Sequence, residues 1–158
     1  MTTTRIAAGA CLLFLTACQV AWPQSKPPDL SGHWVMDASK SSYGGMALPK
    51  SYVETIERKD AGLTIATTSE DQRGEQKYLT KLTTDGRANL NEINGNEFHS
   101  KSRWEGGKLV TTVTGDRGMQ LVEVRSLSSD GKTQTVETYM GQAGGSPQMK
   151  RVMQKKSR

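Results

Sequence analysis

The chain offers few side chains that could perform covalent or metal chemistry. Its two cysteines, Cys11 and Cys18, both lie near the N-terminus, and its two histidines, His33 and His99, are far apart in the sequence. A metal site needs three or four histidine, cysteine or carboxylate ligands, and nucleophilic catalysis needs an activated serine or cysteine beside a base. The sequence has no Gly-x-Ser-x-Gly motif to supply such a serine. It therefore predicts no catalytic residue, no metal and no cofactor, and we expect a protein that is not an enzyme.

The acidic, glycine-rich and basic segments fit no reactive or nucleic-acid-binding site. The acid pair Glu54/Glu57 is expected to carry solvated charges on a strand surface. Residues 141–145 are rich in glycine, but they precede no helix whose N-terminus could hold a phosphate. Arg103 and Trp104 are adjacent, so on a strand they point in opposite directions. Nucleic-acid binding requires basic and aromatic side chains on one face, and we therefore expect no nucleic-acid partner.

The body of the chain has the composition of short strands joined by tight turns. Residues 51–146 contain no proline, and threonine, which favours strands, occurs 13 times between positions 51 and 140. Turn dipeptides such as Asp85-Gly86, Asn94-Gly95 and Asp130-Gly131 supply the positive φ that hairpin turns require. Each interval between turns is long enough for one strand and shows no helical period.

This spacing predicts an all-β fold, a single up-and-down antiparallel barrel of about ten strands. A first strand contains residues 32–36, and the others are expected near 51–59, 63–69, 76–83, 87–93, 97–104, 108–114, 119–127, 132–139 and 148–154. An open meander of this length would leave two long exposed edges, which closure into a barrel removes. Every connection between neighbouring strands from residue 51 onwards is expected to be a hairpin.

The side chains that alternate along the strands predict a cavity inside the barrel. Phe98, Ser100, Ser102 and Trp104 fall on one face of their strand, and the inward set as a whole is poor in large aliphatic residues. Small and polar residues cannot fill a barrel of this strand number. We therefore expect a cavity that is partly polar and partly filled with water.

The N-terminus has the pattern of an export signal. Residues 6–15 form an apolar run that is too short to span a bilayer. The tetrapeptide that ends at Cys18, Leu15-Thr16-Ala17-Cys18, resembles a bacterial lipobox, in which the cysteine is acylated. We predict a signal peptide over residues 1–17, lipidation of Cys18, a proline-rich linker over 18–29 and one domain over 30–158. An ordinary signal peptide that is cleaved a few residues later remains the alternative.

The predicted localisation is outside the cytoplasm. The protein is expected in the periplasm, anchored in the outer membrane through Cys18, or secreted. Loss of the signal and modification of Cys18 leave no cysteine for a disulfide, so the domain must be held by packing and hydrogen bonds. We expect a monomer. The chain carries a formal net charge of +5, too small and too dispersed an excess to identify a partner.

The first strand resembles the opening motif of the lipocalins. The motif is Gly32-x-Trp34, in which the glycine permits close chain approach and the tryptophan plugs the closed end of the barrel. In that family an arginine near the C-terminus stacks on the indole, and Arg151 is the residue that the resemblance implies here. The segments Ser31-Gly32-His33-Trp34 and Asp37-Ala38-Ser39-Lys40-Ser41 are also similar to small exported bacterial domains of unassigned function.

The second half resembles the fatty-acid-binding proteins, which are relatives of the lipocalins in the calycin group. The segment from Trp104 to Val110 is similar to their Trp-x-Gly turn. The resemblance implies that Arg125 and Arg151 bind a ligand carboxylate. We predict Phe98 and Met153 as further ligand contacts. The position of the family's tyrosine is occupied by Met153, and the helix pair that caps those barrels has no counterpart in residues 38–50.

The sequence leaves open several positions for the two arginines besides contact with a ligand. Arg125 could be exposed or paired with Glu123 or Glu137, and Arg151 could stack on Trp34 or be exposed. An unpaired arginine inside a barrel is costly, so two inward arginines would imply an anionic partner.

The leading functional hypothesis is an exported lipocalin-like protein that binds a small apolar or fatty-acid-like ligand in its barrel. A surface-acting envelope lipoprotein with a collapsed interior is the second hypothesis. An enzyme that uses His33 or His99 beside a carboxylate in a pocket is the third.

Overall fold

Ten antiparallel strands account for most of the chain in the computed structural model, which describes residues 26–115 and 118–157. The strands are β1 (Gly32–Met36), β2 (Ser51–Lys59), β3 (Gly62–Asp71), β4 (Gly74–Thr83), β5 (Asp85–Ile93), β6 (Asn96–Glu105), β7 (Lys108–Thr114), β8 (Gln120–Leu127), β9 (Thr133–Met140) and β10 (Met149–Lys156). A 3₁₀ turn over Ala38–Lys40 follows β1. The predicted signal peptide, Cys18 and residues 19–25 of the linker lie outside the described residues.

The sheet wraps around because the first strand pairs with the last. Strand β1 has β2 on one side and β10 on the other, and Trp34 lies opposite both Glu54 and Lys155. The strand order is β4-β3-β2-β1-β10-β9-β8-β7-β6-β5. The prediction of an all-β fold, a single up-and-down antiparallel barrel of about ten strands, is confirmed, and the barrel is nearly closed. In the part of the chain that the structure describes, no helix is long and apolar enough to cross a membrane.

The barrel has a seam between β4 and β5, which are consecutive in sequence but share no ladder among the described residues. At this point the expectation that every connection is a paired hairpin was wrong. The Asn91 side chain takes the place of a neighbouring backbone, because its Oδ1 accepts from the Lys81 backbone N–H at 2.7 Å and its Nδ2 donates to the Lys81 carbonyl at 3.0 Å. The buried amide side chain of Asn91 thus forms hydrogen bonds between the edges of β4 and β5, which share no ladder in the described part of the chain.

The closed end of the barrel is filled by an apolar core around Trp34. The indole is fully buried and its Nε1 donates to the Leu30 carbonyl at 2.9 Å. The Lys155 ammonium lies 5.3 Å from the ring centroid, so the prediction that Arg151 stacks on Trp34 was wrong. The register explains the difference, because Trp34 lies directly opposite Lys155 on β10. Gly32 adopts φ 143°, a conformation that side-chain-bearing residues rarely adopt.

The inward positions along β6 follow the predicted alternation. Ser100 and Ser102 are buried, Phe98 and Trp104 are half-buried, and the residues between them are exposed. Ser102 and Thr111 on β7 form a hydroxyl–hydroxyl hydrogen bond of 2.9 Å. The small polar residues of the interior therefore satisfy one another across strands, and Trp104 packs against the apolar core.

The seam predicts a specific effect of Asn91→Ala. Loss of the amide leaves the Lys81 N–H and carbonyl without their partner, and we expect a loss of about 1–3 kcal/mol in the free energy of unfolding. Urea denaturation measures the total, and faster hydrogen exchange at the Lys81 amide locates it. Asn96→Ala is the control, because the exposed Asn96 side chain bonds only locally, to the Asn94 carbonyl. Unchanged exchange at Lys81 in Asn91→Ala would contradict this role of Asn91 at the seam.

Candidate ligand-binding site

Above the apolar core the barrel encloses a cavity of about 220 Å³. Its wall is built from inward positions of β2 to β8 and of β10. The apolar lining residues are Ile65, Leu82, Ile93, Phe98, Val113 and Leu121, and the polar and aromatic-hydroxyl ones are Tyr52, Glu54, Thr67, Tyr78, Thr80, Asn91, Ser100, Thr111, Glu123, Arg125 and Arg151. The cavity is therefore polar in part, as the composition of the inward positions predicts, and the rest of its wall is apolar.

Three of the four predicted ligand contacts line this cavity. Arg125, Arg151 and Phe98 are in its wall. Met153 faces the same way as Arg151 on β10 but lies nearer the closed end, where it is fully buried in the apolar core with Trp34. The structure thus brings the two arginines together and places Met153 below them, outside the cavity wall.

Arg125 is the centre of a buried ionic network. Its Nη1 donates to Glu54 Oε2 at 2.6 Å and its Nη2 donates to Glu54 Oε1 at 3.2 Å, while its Nε donates to Glu123 Oε1 at 2.8 Å. Nη1 also lies 3.4 Å from Gln134 Oε1. The side chains of Arg125 and Glu54 are 5% and 1% exposed, so this pair is removed from water.

Arg151 joins the same network through Glu123. Its Nη2 donates to Glu123 Oε2 at 2.8 Å, and its guanidinium lies 5.0 Å from the centroid of the Tyr52 ring. The Tyr52 hydroxyl donates to Glu54 Oε1 at 3.0 Å and lies 3.4 Å from the hydroxyl of Tyr78. We call Arg125, Arg151, Glu54 and Glu123 the charge cluster. It contains two guanidinium groups and two carboxyl groups.

The charge cluster sets the protonation of its members. Burial by itself would raise the pKa of Glu54, but the Arg125 guanidinium, together with Arg151 and the hydrogen bond from Tyr52, outweighs burial, and the pKa lies below its ordinary value. Burial raises the pKa of the Tyr52 hydroxyl well above its ordinary value, and the nearby Glu54 raises it further. Glu54 is therefore ionised at neutral pH while Tyr52 is neutral and able to donate.

Glu54 is the site residue that the sequence analysis missed, because the expectation of a solvated surface charge was wrong. Glu54 is 1% exposed. A signal was present in the alternation, since Tyr52 and Ile56 lie two positions away on either side and all three face inward. The carboxyl group is tolerated there because Arg125 reaches it from the other side of the barrel. The anionic partners that two inward arginines imply are Glu54 and Glu123, which serve as their counter-ions inside the protein.

The end of the barrel opposite Trp34 carries two loops. The segment 37–50 follows β1 there, and the segment 141–148 joins β9 to β10 at the same end. A groove of about 350 Å³ lies at this mouth. Tyr52, Tyr78 and Arg151 line both the groove and the cavity, so these three side chains stand between the cavity and the mouth.

The histidines lie outside the cavity. His33 Nδ1 is 3.2 Å from Thr55 Oγ1, and His99 is exposed on β6. Within residues 26–115 and 118–157 no group of three or more histidine, cysteine or acidic side chains is placed to hold a metal ion.

The fold of this chain is similar to the folds of several solved structures. The secretary abundant heat soluble protein of Ramazzottius varieornatus matches with a TM-score of 0.59 at 15% identity, over 80% of this chain and 94% of that chain. Fatty-acid-binding protein 1 of Echinococcus granulosus matches with a TM-score of 0.57 at 14% identity, over 80% and 97%. Lipid binding protein 8 of Caenorhabditis elegans matches with a TM-score of 0.56 at 12% identity, over 80% and 95%.

This chain has the fold of the fatty-acid-binding proteins. At these identities the likeness concerns the fold and not the chemistry of the site. No protein-family model matches the sequence, and no curated protein matches it. What the site does must therefore be argued from its own residues within the fatty-acid-binding-protein fold.

The ionic network predicts a large effect of Glu54→Gln on stability. The substitution leaves Arg125 buried with an incomplete set of counter-ions, and removal of one partner from a buried ion pair costs about 3–5 kcal/mol. Urea denaturation at neutral pH measures this loss. Glu75→Gln is the matched control, since Glu75 pairs with Lys77 at the exposed surface and should change stability little. Equal effects of the two substitutions would contradict a stabilising role of the buried network.

The lowered pKa of Glu54 predicts a pH dependence with a definite sign. The unfolded chain binds a proton at Glu54 near the ordinary pKa of 4.5, whereas the folded chain binds it only at lower pH. The stabilisation is therefore complete above pH 4.5 and is lost as pH falls through the lower folded-state pKa. We expect the stability difference between the wild type and Glu54→Gln to shrink as pH falls below 4.5. A difference that stays constant with pH would show that ionisation of Glu54 is not its source.

Proposed function

We propose that this protein binds a small, largely apolar molecule in the cavity of its barrel. The observation that carries the proposal is the cavity itself, about 220 Å³ of space lined by apolar side chains on one part and by the charge cluster and hydroxyl groups on another. Burial of apolar ligand surface would supply the binding free energy, at roughly 25 cal/mol per Å² before ordering costs. The few polar groups would orient the ligand.

The named neighbours support a binding role. A fatty-acid-binding protein and a lipid binding protein share the fold, and both bear names that describe binding and not catalysis. The alternative of a surface-acting envelope module was expected to have a collapsed interior, with a void below about 100 Å³. The observed cavity of about 220 Å³ favours the ligand-binding hypothesis over that alternative.

The size of the cavity limits the ligand. Pockets for drug-sized ligands range from about 300 to 1,000 Å³, so a cavity of about 220 Å³ suits a smaller molecule or one that also extends into the groove at the mouth. We therefore propose a ligand of short or medium chain length. Because Tyr52, Tyr78 and Arg151 line both spaces, they would contact a ligand that enters from the mouth.

We further propose that the protein acts outside the cytoplasm. The support is the sequence pattern of residues 1–18, with an export signal that ends at the lipobox cysteine Cys18. Acylation of Cys18 would attach the barrel to a membrane through the linker 18–29. Mass spectrometry of the mature N-terminus from the native host tests this, and an unmodified N-terminus beyond Cys18 would argue for an ordinary secreted protein.

A cavity-filling substitution tests the proposed function. Val113→Trp places a large ring inside the cavity, whereas Val110→Trp adds the same ring on the outward face of the same strand, β7. We expect Val113→Trp to weaken uptake of a short-chain fluorescent lipid analogue by at least about tenfold, equal to about 1.4 kcal/mol, and Val110→Trp to leave it unchanged. Titration of the delipidated protein, followed by fluorescence, measures both.

Two results would count against binding in the barrel. One is an equal effect of the two tryptophan substitutions on uptake, with the fold of each variant checked by circular dichroism. The other is failure of the wild type to take up any probe, combined with an organic extract of natively purified protein that contains no stoichiometric small molecule.

A further inference from the structure

We infer that the cavity selects an uncharged, oxygen-bearing apolar molecule, such as a medium-chain alcohol, over the carboxylate of the same chain length. This inference rests on the proposed function, because it concerns the polar group of a ligand bound in the same cavity. The observation that carries it is the balanced charge of the cluster. The two arginines that would bind a ligand carboxylate are already held by Glu54 and Glu123.

Each guanidinium of the cluster has a carboxyl partner at hydrogen-bond distance. Arg125 holds Glu54 through two nitrogens, at 2.6 and 3.2 Å, and holds Glu123 through Nε at 2.8 Å. Arg151 holds the other oxygen of Glu123 at 2.8 Å. The formal charges sum to zero, with two positive and two negative groups. A ligand carboxylate would therefore enter a neutral cluster and leave it with one uncompensated negative charge.

Burial makes that excess charge costly. An ionised carboxylate that leaves water loses its hydration, and this loss is recovered only when an unneutralised cation or several donors receive it. Both arginines are almost fully buried, and the Glu54 carboxyl group beside Arg125 is ionised at neutral pH, so it would repel a ligand carboxylate. An alcohol of the same length gains the same apolar contacts without this penalty.

The wall nevertheless offers hydrogen bonds to an uncharged oxygen. Arg151 Nε is buried and has no hydrogen-bond partner among the described residues, so an acceptor oxygen would satisfy it. The hydroxyl of Tyr78 lies 3.4 Å from that of Tyr52, and the hydroxyls of Thr67 and Thr80 also line the cavity. Hydroxyl groups both donate and accept, which matches an alcohol. One neutral oxygen near Arg151 would thus be bound without disturbing the two glutamates.

The test compares 1-decanol with decanoate on the delipidated full-length protein at pH 7.5. The two ligands have the same chain, so the difference in their dissociation constants reports the polar group. Displacement of an uncharged fluorescent probe measures both constants. We expect 1-decanol to bind at least about tenfold more tightly. Equal or tighter binding of decanoate would overturn the inference, since it would mean that a ligand carboxylate displaces Glu123 from Arg151.

Charge variants make the test specific to the cluster. Glu123→Gln and Glu54→Gln each raise the net charge of the cluster by one, so each should shift the preference towards decanoate by at least about tenfold. Glu123→Gln is the second variant in case Glu54→Gln does not fold, because the Glu123 side chain is more exposed, at 20% against 1%. Glu75→Gln, at the exposed surface, should leave the preference unchanged. An unchanged preference in a folded cluster variant would overturn the inference.

Failure of the inference differs from failure of the proposed function. If decanoate binds as well as 1-decanol and Val113→Trp abolishes both, the cavity binds ligands and only the selection for an uncharged group is wrong. If neither ligand displaces a bound probe, the selection for an alcohol is likewise wrong. If the wild type takes up no probe, or if Val113→Trp has no effect on uptake, binding in the barrel is itself wrong and the inference falls with it.

Discussion

Two guanidinium groups can lie inside this barrel only because two carboxyl groups lie beside them. Arg125 binds Glu54 of β2 through two nitrogens and Glu123 of its own strand, β8, through a third, so its donors are used on one partner across the barrel and one beside it. A buried arginine without such partners would carry a large desolvation cost. The network joins β2, β8 and β10, and any change to one carboxyl group therefore acts on the stability of the barrel and on the chemistry of its cavity together.

Local patterns predicted the fold because the positions of strands and turns depend mainly on near neighbours. The Asn94-Gly95 dipeptide marks a tight turn between β5 and β6, and both residues have positive φ. Alternation along β6 correctly placed Ser100 inside, since side chains in a strand change face at every residue. Closure followed from the number of strands, which leaves long edges unless the ends meet.

Contacts between distant strands could not be read from local patterns. Arg125 and Glu54 are 71 residues apart, and nothing near Glu54 in the sequence identifies its partner. The stacking partner of Trp34 depends on the register of β1 against β10, and a difference of four positions along β10 separates Arg151 from Lys155. The Asn91 side chain at the seam presents the same difficulty, because its bonds to Lys81 arise only where β4 and β5 diverge.

The position of the charge cluster explains why the interior changes character over a short distance. On β10, Arg151 contacts Glu123 and lines the cavity, whereas Met153 faces the same side two residues further on and is packed in the apolar core. Two positions along a strand span about 6.6 Å. The charge cluster and the apolar core are therefore adjacent. A ligand that entered from the mouth would meet the charge cluster before it reached Trp34. The depth of the barrel above the apolar core would limit the length of the ligand. The charge that the cluster already carries would limit which polar group the ligand can bear.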